Sequence, residues 1–435
     1  MKEPFDTLRA NGKTGATGRK TGRLAVASIV GTTLEYYDFA VYNTLAALVF
    51  GKLFFPSFDP LSGTLLAFST YAVGYLSRPV GGLIFGHLGD RLGRRFVLVA
   101  TLMLMGVTTA LMGLLPTYAV AGNWSPALLV LLRFVQGAAL GGEWAGAVLL
   151  SVEHGESHRR GRNGSWAQMG PSLGTLLATG LIALLTLLIA ADDFLEWGWR
   201  VPFFASVAFV GFGLWIRVGI EETPVFRQLE QETGKVRAPL GEVVRSHWPA
   251  LLRAGGLRIG PDVLYSLIAA FTLSYLTTVL GLSRTLALVA LSIGGACNAA
   301  SIPLFGHLSD RFGRRVIYGA GVAIAIVWVR VLFPLLDTKS PLLIVAAVTV
   351  GLIVHAMMYG PQAAFITEQF PARVRYAGSS MAYTLAGIFG GGIAPAVFTA
   401  LLRAYQHTAP IGLYATGALL LTGVVVLMSR ETSRE

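Results

Sequence analysis

The sequence predicts an all-α membrane protein, with about twelve transmembrane helices in two pseudo-symmetric six-helix bundles. Three observations predict it. Of 435 residues, 54% are hydrophobic and only 13% are charged, about half the charged share of a soluble domain. Apolar stretches long enough to cross a bilayer, about 20 residues each, recur near 24–50, 61–88, 96–116, 127–153, 164–190, 199–220, 249–279, 285–308, 316–336, 342–366, 378–401 and 411–429. One charged phrase is also written twice, 220 residues apart: Gly86-His87-Leu88-Gly89-Asp90-Arg91-Leu92-Gly93-Arg94-Arg95 and Gly306-His307-Leu308-Ser309-Asp310-Arg311-Phe312-Gly313-Arg314-Arg315. Each copy separates two apolar spans, the mark of a duplicated half.

The first six spans belong to a bundle at 24–220 and the last six to a bundle at 249–429, with tails at 1–23 and 430–435. The loop at 221–248 joins the bundles. It mixes Glu and Arg and reads as a solvated linker; Glu222-Thr223-Pro224 marks a helix start within it. Lys and Arg set the orientation. With the N-terminus inside, roughly two dozen fall in inner segments and about five in outer turns, as the positive-inside rule requires. Both termini are then cytoplasmic, and the expected location is a bacterial inner membrane. The N-terminal tail lacks the apolar core of a signal peptide and reads as a disordered cytoplasmic tail.

The net charge of +11 does not indicate a nucleic-acid partner. The basic residues sit in short turns and are not interleaved with aromatics along a groove. The seven histidines are scattered without metal-ligand spacing, and no glycine-rich phosphate loop follows a strand. No cofactor, metal or enzymatic activity is expected. The single cysteine, Cys297, reads as a small buried hydrophobe. Gly137, Gly141, Gly142 and Gly146, like Gly387, Gly391 and Pro395, follow near-helical spacing and read as close helix contacts.

In the repeated turn, Asp90 and Asp310 stand where a helix meets the inner interface. A carboxylate there meets the partial positive charge of a neighbouring helix N-terminus or pairs with arginines across the turn. With Arg91, Arg94, Arg311 and Arg314 it forms a conformational gate that latches in one state and releases in the other. The alternative for the arginines is topology alone. The phrase resembles the signature turn of the major facilitator superfamily, and Arg133-Phe134-Val135-Gln136-Gly137 resembles a second motif of that family. A narrower resemblance is to the metabolite:proton symporters. It rests on Glu35-Tyr36-Tyr37-Asp38-Phe39, Gly141-Gly142-Glu143-Trp144, Trp197-Gly198-Trp199-Arg200-Val201-Pro202-Phe203 and Glu368-Gln369-Phe370-Pro371-Ala372-Arg373-Val374-Arg375-Tyr376. The span-one aromatic pair, Tyr36-Tyr37, departs from the more usual Trp-Tyr or Phe-Phe. The resemblance implies a major facilitator fold that imports a small polar metabolite with protons.

Charges inside spans are costly and face a bundle interior or a cavity. Glu35 and Asp38 share roughly one helical face. Counting residues places Asp38 about 21 Å from the inner surface and Arg133 about 9 Å from the outer one. Together these depths match a hydrocarbon core of about 30 Å, so the two sit at one level, with Glu35 and Glu143 deeper toward the cytoplasm. Glu35 and Asp38 are the expected proton-handling pair and Arg133 their modulating partner. The alternative is a static buried ion pair. In span seven, Arg258 stands 220 residues after Asp38 and is either a seat for a substrate carboxylate or a simple partner of Asp262, one turn away.

Arg133, Tyr37, Tyr42, Gln136, Glu143, Arg258, Asp262, Tyr265 and Gln362 are the candidate substrate contacts, on the expectation that spans one, four, seven and ten line the site. Arg78-Pro79 reads as a kink that braces the first turn motif, and His355 as a packed neutral histidine. Arg330 has no evident role. The expected partners are a small-molecule substrate, most simply an organic acid, and protons; the chain is expected to be a monomer in the bilayer. Two other activities fit the same architecture, an efflux antiporter and a transporter-like sensor that does not translocate. The short tails and lack of an added domain argue against the sensor.

Overall fold

The computed structural model describes residues 29–82, 84–85, 94–141, 148, 152, 159–218, 239–371 and 374–431, of which 94–98, 214–218, 239–240 and 376 are described by their backbone alone. Among the described residues the chain is helix and short turn, without a strand. The first helix, α1, covers 29–54 and contains a π-helical turn at Ala46–Phe50. It is followed by α2 (Pro60–Leu76, continuing past Ser77 to 82), α3 (Arg94–Leu114), α4 (Trp124–Leu140), α5 (Arg160–Leu188) and α6 (Val201–Val218). The second half contains α7 (Trp248–Val279), α8 (Arg284–Phe312), α9 (Arg314–Asp337), α10 (Pro341–Thr367), α11 (Ala377–Tyr405) and α12 (Ala409–Met428). Among the described residues, α5 and α7 to α12 are long and apolar enough to cross a membrane, and Val99–Leu114 and Trp124–Leu140 are shorter apolar helices.

Local chemistry explains where these helices begin and bend. Asp59 caps α2: its carboxylate accepts from the Ser62 N–H at 3.1 Å, and Pro60 fills the first turn, where its missing N–H costs nothing. Ser283 caps α8 in the same way through Leu286 N–H at 3.2 Å. Prolines sit inside α5, α7, α8, α9 and α10, where each removes a backbone hydrogen bond and favours a bend. The Trp-Gly-Trp-Arg-Val-Pro-Phe motif opens α6. Trp199 is fully buried among Phe50, Phe54 and Phe203, with ring centroids 5.9–6.1 Å away. Arg200 donates to the Gly113 and Leu115 carbonyls at 2.8 and 2.7 Å, which satisfies the open C-terminal end of α3.

The expected span over 127–153 is interrupted. The α4 helix ends at Gly141, whose backbone is extended (ψ 105°). Here α2 packs closely: a Cβ at Gly141 would collide with the Arg78 carbonyl, and one at Gly137 with the Gly74 carbonyl and Ser77 Oγ. Two backbones in contact leave no room for side chains, so small residues fill this seam.

The two halves meet where α5 packs on α8 and α10 and where α2 packs on α11; Gln168 of α5 donates to the Tyr359 carbonyl and to Gln362 Oε1 of α10, each at 3.4 Å. Hydrogen bonds tie α5 to α8 along their length: Gly161 and Arg162 N–H to Asp310, Ser172 Oγ to Asn298 Oδ1, Thr179 with Ser292 at 3.0 Å, and Thr186 with Thr285 at 3.3 Å. The second seam is α2 against α11. A Cβ on Gly391 or Gly392 would press into the Tyr75 ring, and an exposed Asp59–Arg403 pair at 3.8 Å spans its end.

The α2–α4 contact yields a stability prediction. Gly137→Ala should overpack the seam and destabilise the protein by about 1–3 kcal/mol, read as a lower melting temperature of detergent-solubilised protein. An unchanged melting temperature would show that the seam can spread at no cost.

Candidate functional site

A cavity of about 70 Å³ lies between the two halves. It is walled by Tyr36, Phe39 and Asn43 of α1, Tyr71 and Tyr75 of α2, Thr175 of α5, Arg258, Asp262 and Tyr265 of α7, His355 and Tyr359 of α10, and Tyr383 of α11. About 10–15 Å³ of such volume holds one water, so the cavity has room for several waters.

Arg258 and Asp262 are the charged residues of its wall. They are buried and paired one turn apart, Nε to Oδ2 at 2.7 Å. The Arg258 guanidinium also donates to the Tyr383 carbonyl and stacks 3.2 Å from the centre of the Tyr383 ring. Gly387 makes room for it, since a Cβ there would stand 3.0 Å from Nη2. Hydroxyls complete the wall. Tyr383 shares hydrogen bonds with Tyr36 at 3.2 Å and Tyr359 at 3.5 Å, and Tyr265 pairs with Thr175 at 2.6 Å. Asn43 Oδ1 is buried without a partner, an acceptor open to a donor that enters the cavity. His355 stacks on Tyr359, and its Nδ1 accepts from Asn298 Nδ2 at 3.2 Å. Asn298 in turn holds Ser172 across the α5–α8 seam.

This lining corrects the expected one. Among the described residues, helices α1, α7 and α10 contribute but α4 does not, and α2, α5 and α11 do. Of the candidate contacts, Arg258, Asp262 and Tyr265 reach the cavity. Tyr37 turns to α6 and donates to the Pro202 carbonyl at 2.9 Å. Tyr42 pairs with Thr70 at 2.6 Å, and Gln362 donates to Tyr318 at 3.1 Å inside the second half. Arg133 and Gln136 are fully buried within the first half. Glu143 lies outside the described residues. The tyrosines at 71, 75, 359 and 383, with Asn43, are the residues that sequence reasoning missed. The available signal was their hydroxyl and amide groups on otherwise apolar spans.

Asp38 and Arg133 are both buried, but no ion pair joins them among the described residues. Asp38 points to α3 and α6, accepting from Thr109 Oγ1 at 2.9 Å and Ser206 Oγ at 2.6 Å. Arg133 lies over the faces of Phe39, Tyr42 and Tyr71, at 3.9, 4.2 and 4.9 Å. It donates to Gln136 Oε1 at 2.5 Å, and Gln136 Nε2 donates to Thr109 at 2.6 Å. Two side chains therefore stand between acid and arginine. The buried ion pair named as the alternative is not formed between them, because depth fixes level and leaves rotation about the helix open. Glu35 is also buried and lines a second, smaller cavity.

At the arginine-rich end, Asp310 accepts from the N–H groups of Gly161 and Arg162 at 2.8 and 2.9 Å, the open N-terminus of α5. Arg314 pairs with the same carboxylate at 2.6 Å and with Glu368 at 3.4 Å. Glu431, beyond α12, accepts from the N–H groups of Arg314 and Arg315 at the start of α9. Arg311 is exposed, its guanidinium near the neighbouring Phe312 ring. Asp90 and Arg91 lie outside the described residues, and Arg94 is described by backbone alone. Arg330 is exposed on the outer face of α9.

Comparison with known proteins bears on these features together. The family model described as Major Facilitator Superfamily matches residues 28–395. The chain is 39% identical over 417 residues to the shikimate transporter of Escherichia coli K12, covering 95% of each chain. It is 35% identical over 386 residues to the proline/betaine transporter of Salmonella typhimurium, covering 86% of this chain and 76% of the relative. Its fold superposes on the xylose transporter XylE of E. coli in a partially occluded inward-open conformation with a TM-score of 0.73, at 19% identity and over 95% of this chain and 98% of that one. The duplicated halves and the cavity between them are thus those of a membrane transporter, not an enzyme, and the chain belongs to the major facilitator superfamily.

Proposed function

We propose that this chain imports a small polar metabolite bearing a carboxylate, together with protons, by alternating access across a bacterial inner membrane. Both termini are cytoplasmic in this reading, the working unit is a monomer, and the halves are the bundles at 24–220 and 249–429. The carrying observation is the cavity walled by both halves, with Arg258 as its cation. The surplus of Lys and Arg at one end supports the orientation. The shikimate and proline/betaine transporters among its relatives support a metabolite with a carboxylate.

The incoming carboxylate competes with Asp262 for the Arg258 fork, a bidentate site that a planar acid fits. Tyr265 and Tyr383 offer hydroxyls to the rest of the molecule. The proton goes to Asp38 or Glu35. Asp38 is held by hydroxyls rather than by a cation, so a proton can arrive there without breaking an ion pair. Arg133 modulates it at one remove, since a shift of α4 draws Gln136 away from Thr109 and changes what Thr109 offers Asp38. Asp310 and Arg314 act as the gate, with Asp90, Arg91, Arg94 and Arg311 in the same role. Release of the α5 N-terminus by Asp310 opens the arginine-rich end.

The deciding experiment is a thermal-shift screen of purified protein against shikimate, 2-oxoglutarate, citrate, proline and glycine betaine, followed by uptake into proteoliposomes under an imposed proton gradient. A ligand at a hundred times its dissociation constant adds about 2.7 kcal/mol to stability. Stabilisation by none of the acids, or transport only outward in inverted vesicles, rejects the reading.

Three variants test its parts. Asp38→Asn should lose accumulation driven by the proton gradient and keep substrate exchange; full accumulation removes Asp38 from coupling. Arg258→Gln and Asp262→Asn should each cost about 3–5 kcal/mol of stability, because each strands a buried charge. The double variant should regain stability but not the ligand-induced shift; a double variant that still binds makes the pair merely structural. Asp310→Asn should raise the population open at the arginine-rich end about tenfold, the weight of a charge-assisted hydrogen bond. Electron–electron distance measurement between nitroxides at Arg159→Cys and His307→Cys, in a Cys297→Ser background, reads this directly, and an unchanged distance distribution excludes the latch.

A further inference from the structure

A second cavity, of about 20 Å³, opens beside the first. Its wall includes Arg78, Glu35, Ser380 and Thr384, and it shares Tyr36 and Tyr383 with the central cavity. Those two tyrosines come from opposite halves, and their hydroxyls meet at 3.2 Å. They form a one-side-chain-thick partition between the cavities. The second cavity lies on the arginine-rich side: Glu35 precedes Asn43 of the central wall by eight residues, about 12 Å along α1.

Arg78 is the unusual member of this wall. It is 4% exposed, yet Nε and one terminal nitrogen, Nη2, have no hydrogen-bond partner. Its guanidinium is held from its faces instead, 3.9 Å from the centre of the Tyr75 ring and 4.8 Å from that of Phe39. Face contacts compensate part of the charge but leave the in-plane N–H groups open. A helix brace would use those donors on carbonyls, as Arg200 does. A fork of unpaired, buried N–H groups beside a polar cavity is instead matched to a planar anion.

We propose that Arg78, with Ser380 and Thr384 facing it, forms a second carboxylate subsite, which takes the substrate's carboxylate from Arg258 when the Tyr36–Tyr383 partition opens toward the arginine-rich end. The subsite rests on the reading of a carboxylate substrate given above. Glu35 shares the wall, and in that reading it is one of the proton carriers; protonated, it presents no charge to the passing anion.

The test is transport of radiolabelled shikimate in proteoliposomes of sorted orientation, with KM measured separately from each face. Arg78→Gln should raise KM about tenfold from the arginine-rich face, the value of one charge-assisted contact, and leave KM at the opposite face unchanged. Arg78→Lys, which keeps charge but not the fork, should fall between. An equal change at both faces makes Arg78 a brace and overturns the subsite, as does no change at either face. Should Arg78→Gln fail to fold, the wild-type protein carries the test. Shikimate must slow phenylglyoxal modification of Arg78, read by peptide mass analysis, and methyl shikimate must not; equal rates overturn the proposal. A wild type that carries none of the acids in the screen removes the carboxylate reading itself, a result distinct from a wild type that carries one of them while Arg78→Gln behaves identically.

Discussion

A charge surrounded by hydrocarbon has no water to turn to, and each ionised side chain within a span must find its compensation between helices. The interior of this protein is organised by that requirement. Asp38 draws hydroxyls from α3 and α6, Arg133 draws three aromatic faces and a glutamine, and Arg258 draws an aspartate, a carbonyl and a tyrosine ring. Each solution pulls particular helices together, so the polar minority of the sequence decides much of how the apolar majority packs.

The two halves meet this requirement differently. In the first half Asp38 and Arg133 are kept apart by Thr109 and Gln136. In the second half, acid and base sit on one helix and meet directly. The Arg258–Asp262 pair faces the cavity, and Asp38 is turned away from it toward α3 and α6. The hydrogen-bonded chain from Asp38 to Arg133 and the aromatic faces over Arg133, two of which also wall the cavity, are the physical links between the two.

The contact between halves is uneven along its length. The α5–α8 seam uses single hydroxyl and amide bonds spaced along the helices, each modest on its own. Its arginine-rich end is stronger, because Asp310 meets both a helix N-terminus and the Arg314 guanidinium. Gly161 and Gly306 let the backbones come close enough for that carboxylate to reach; a Cβ at either would strike the other's carbonyl oxygen. The glycine that opens the repeated phrase and the aspartate four residues later thus serve one contact.

Composition, span length and the repeated phrase by themselves determined the helical membrane fold, its duplication and the place of the charged turns, because hydrophobic length and charge placement are properties a chain carries before it folds. Position along a helix axis can be counted from the sequence, since rise per residue is constant; rotation about that axis cannot. Whether Asp38 faces α3 or the cavity, whether Tyr37 or Tyr36 reaches the centre, and whether Arg78 braces a helix or fronts a second cavity all depend on the azimuth of each helix. That angle is set by side chains packing from several distant segments at once, and only the tertiary structure decides it.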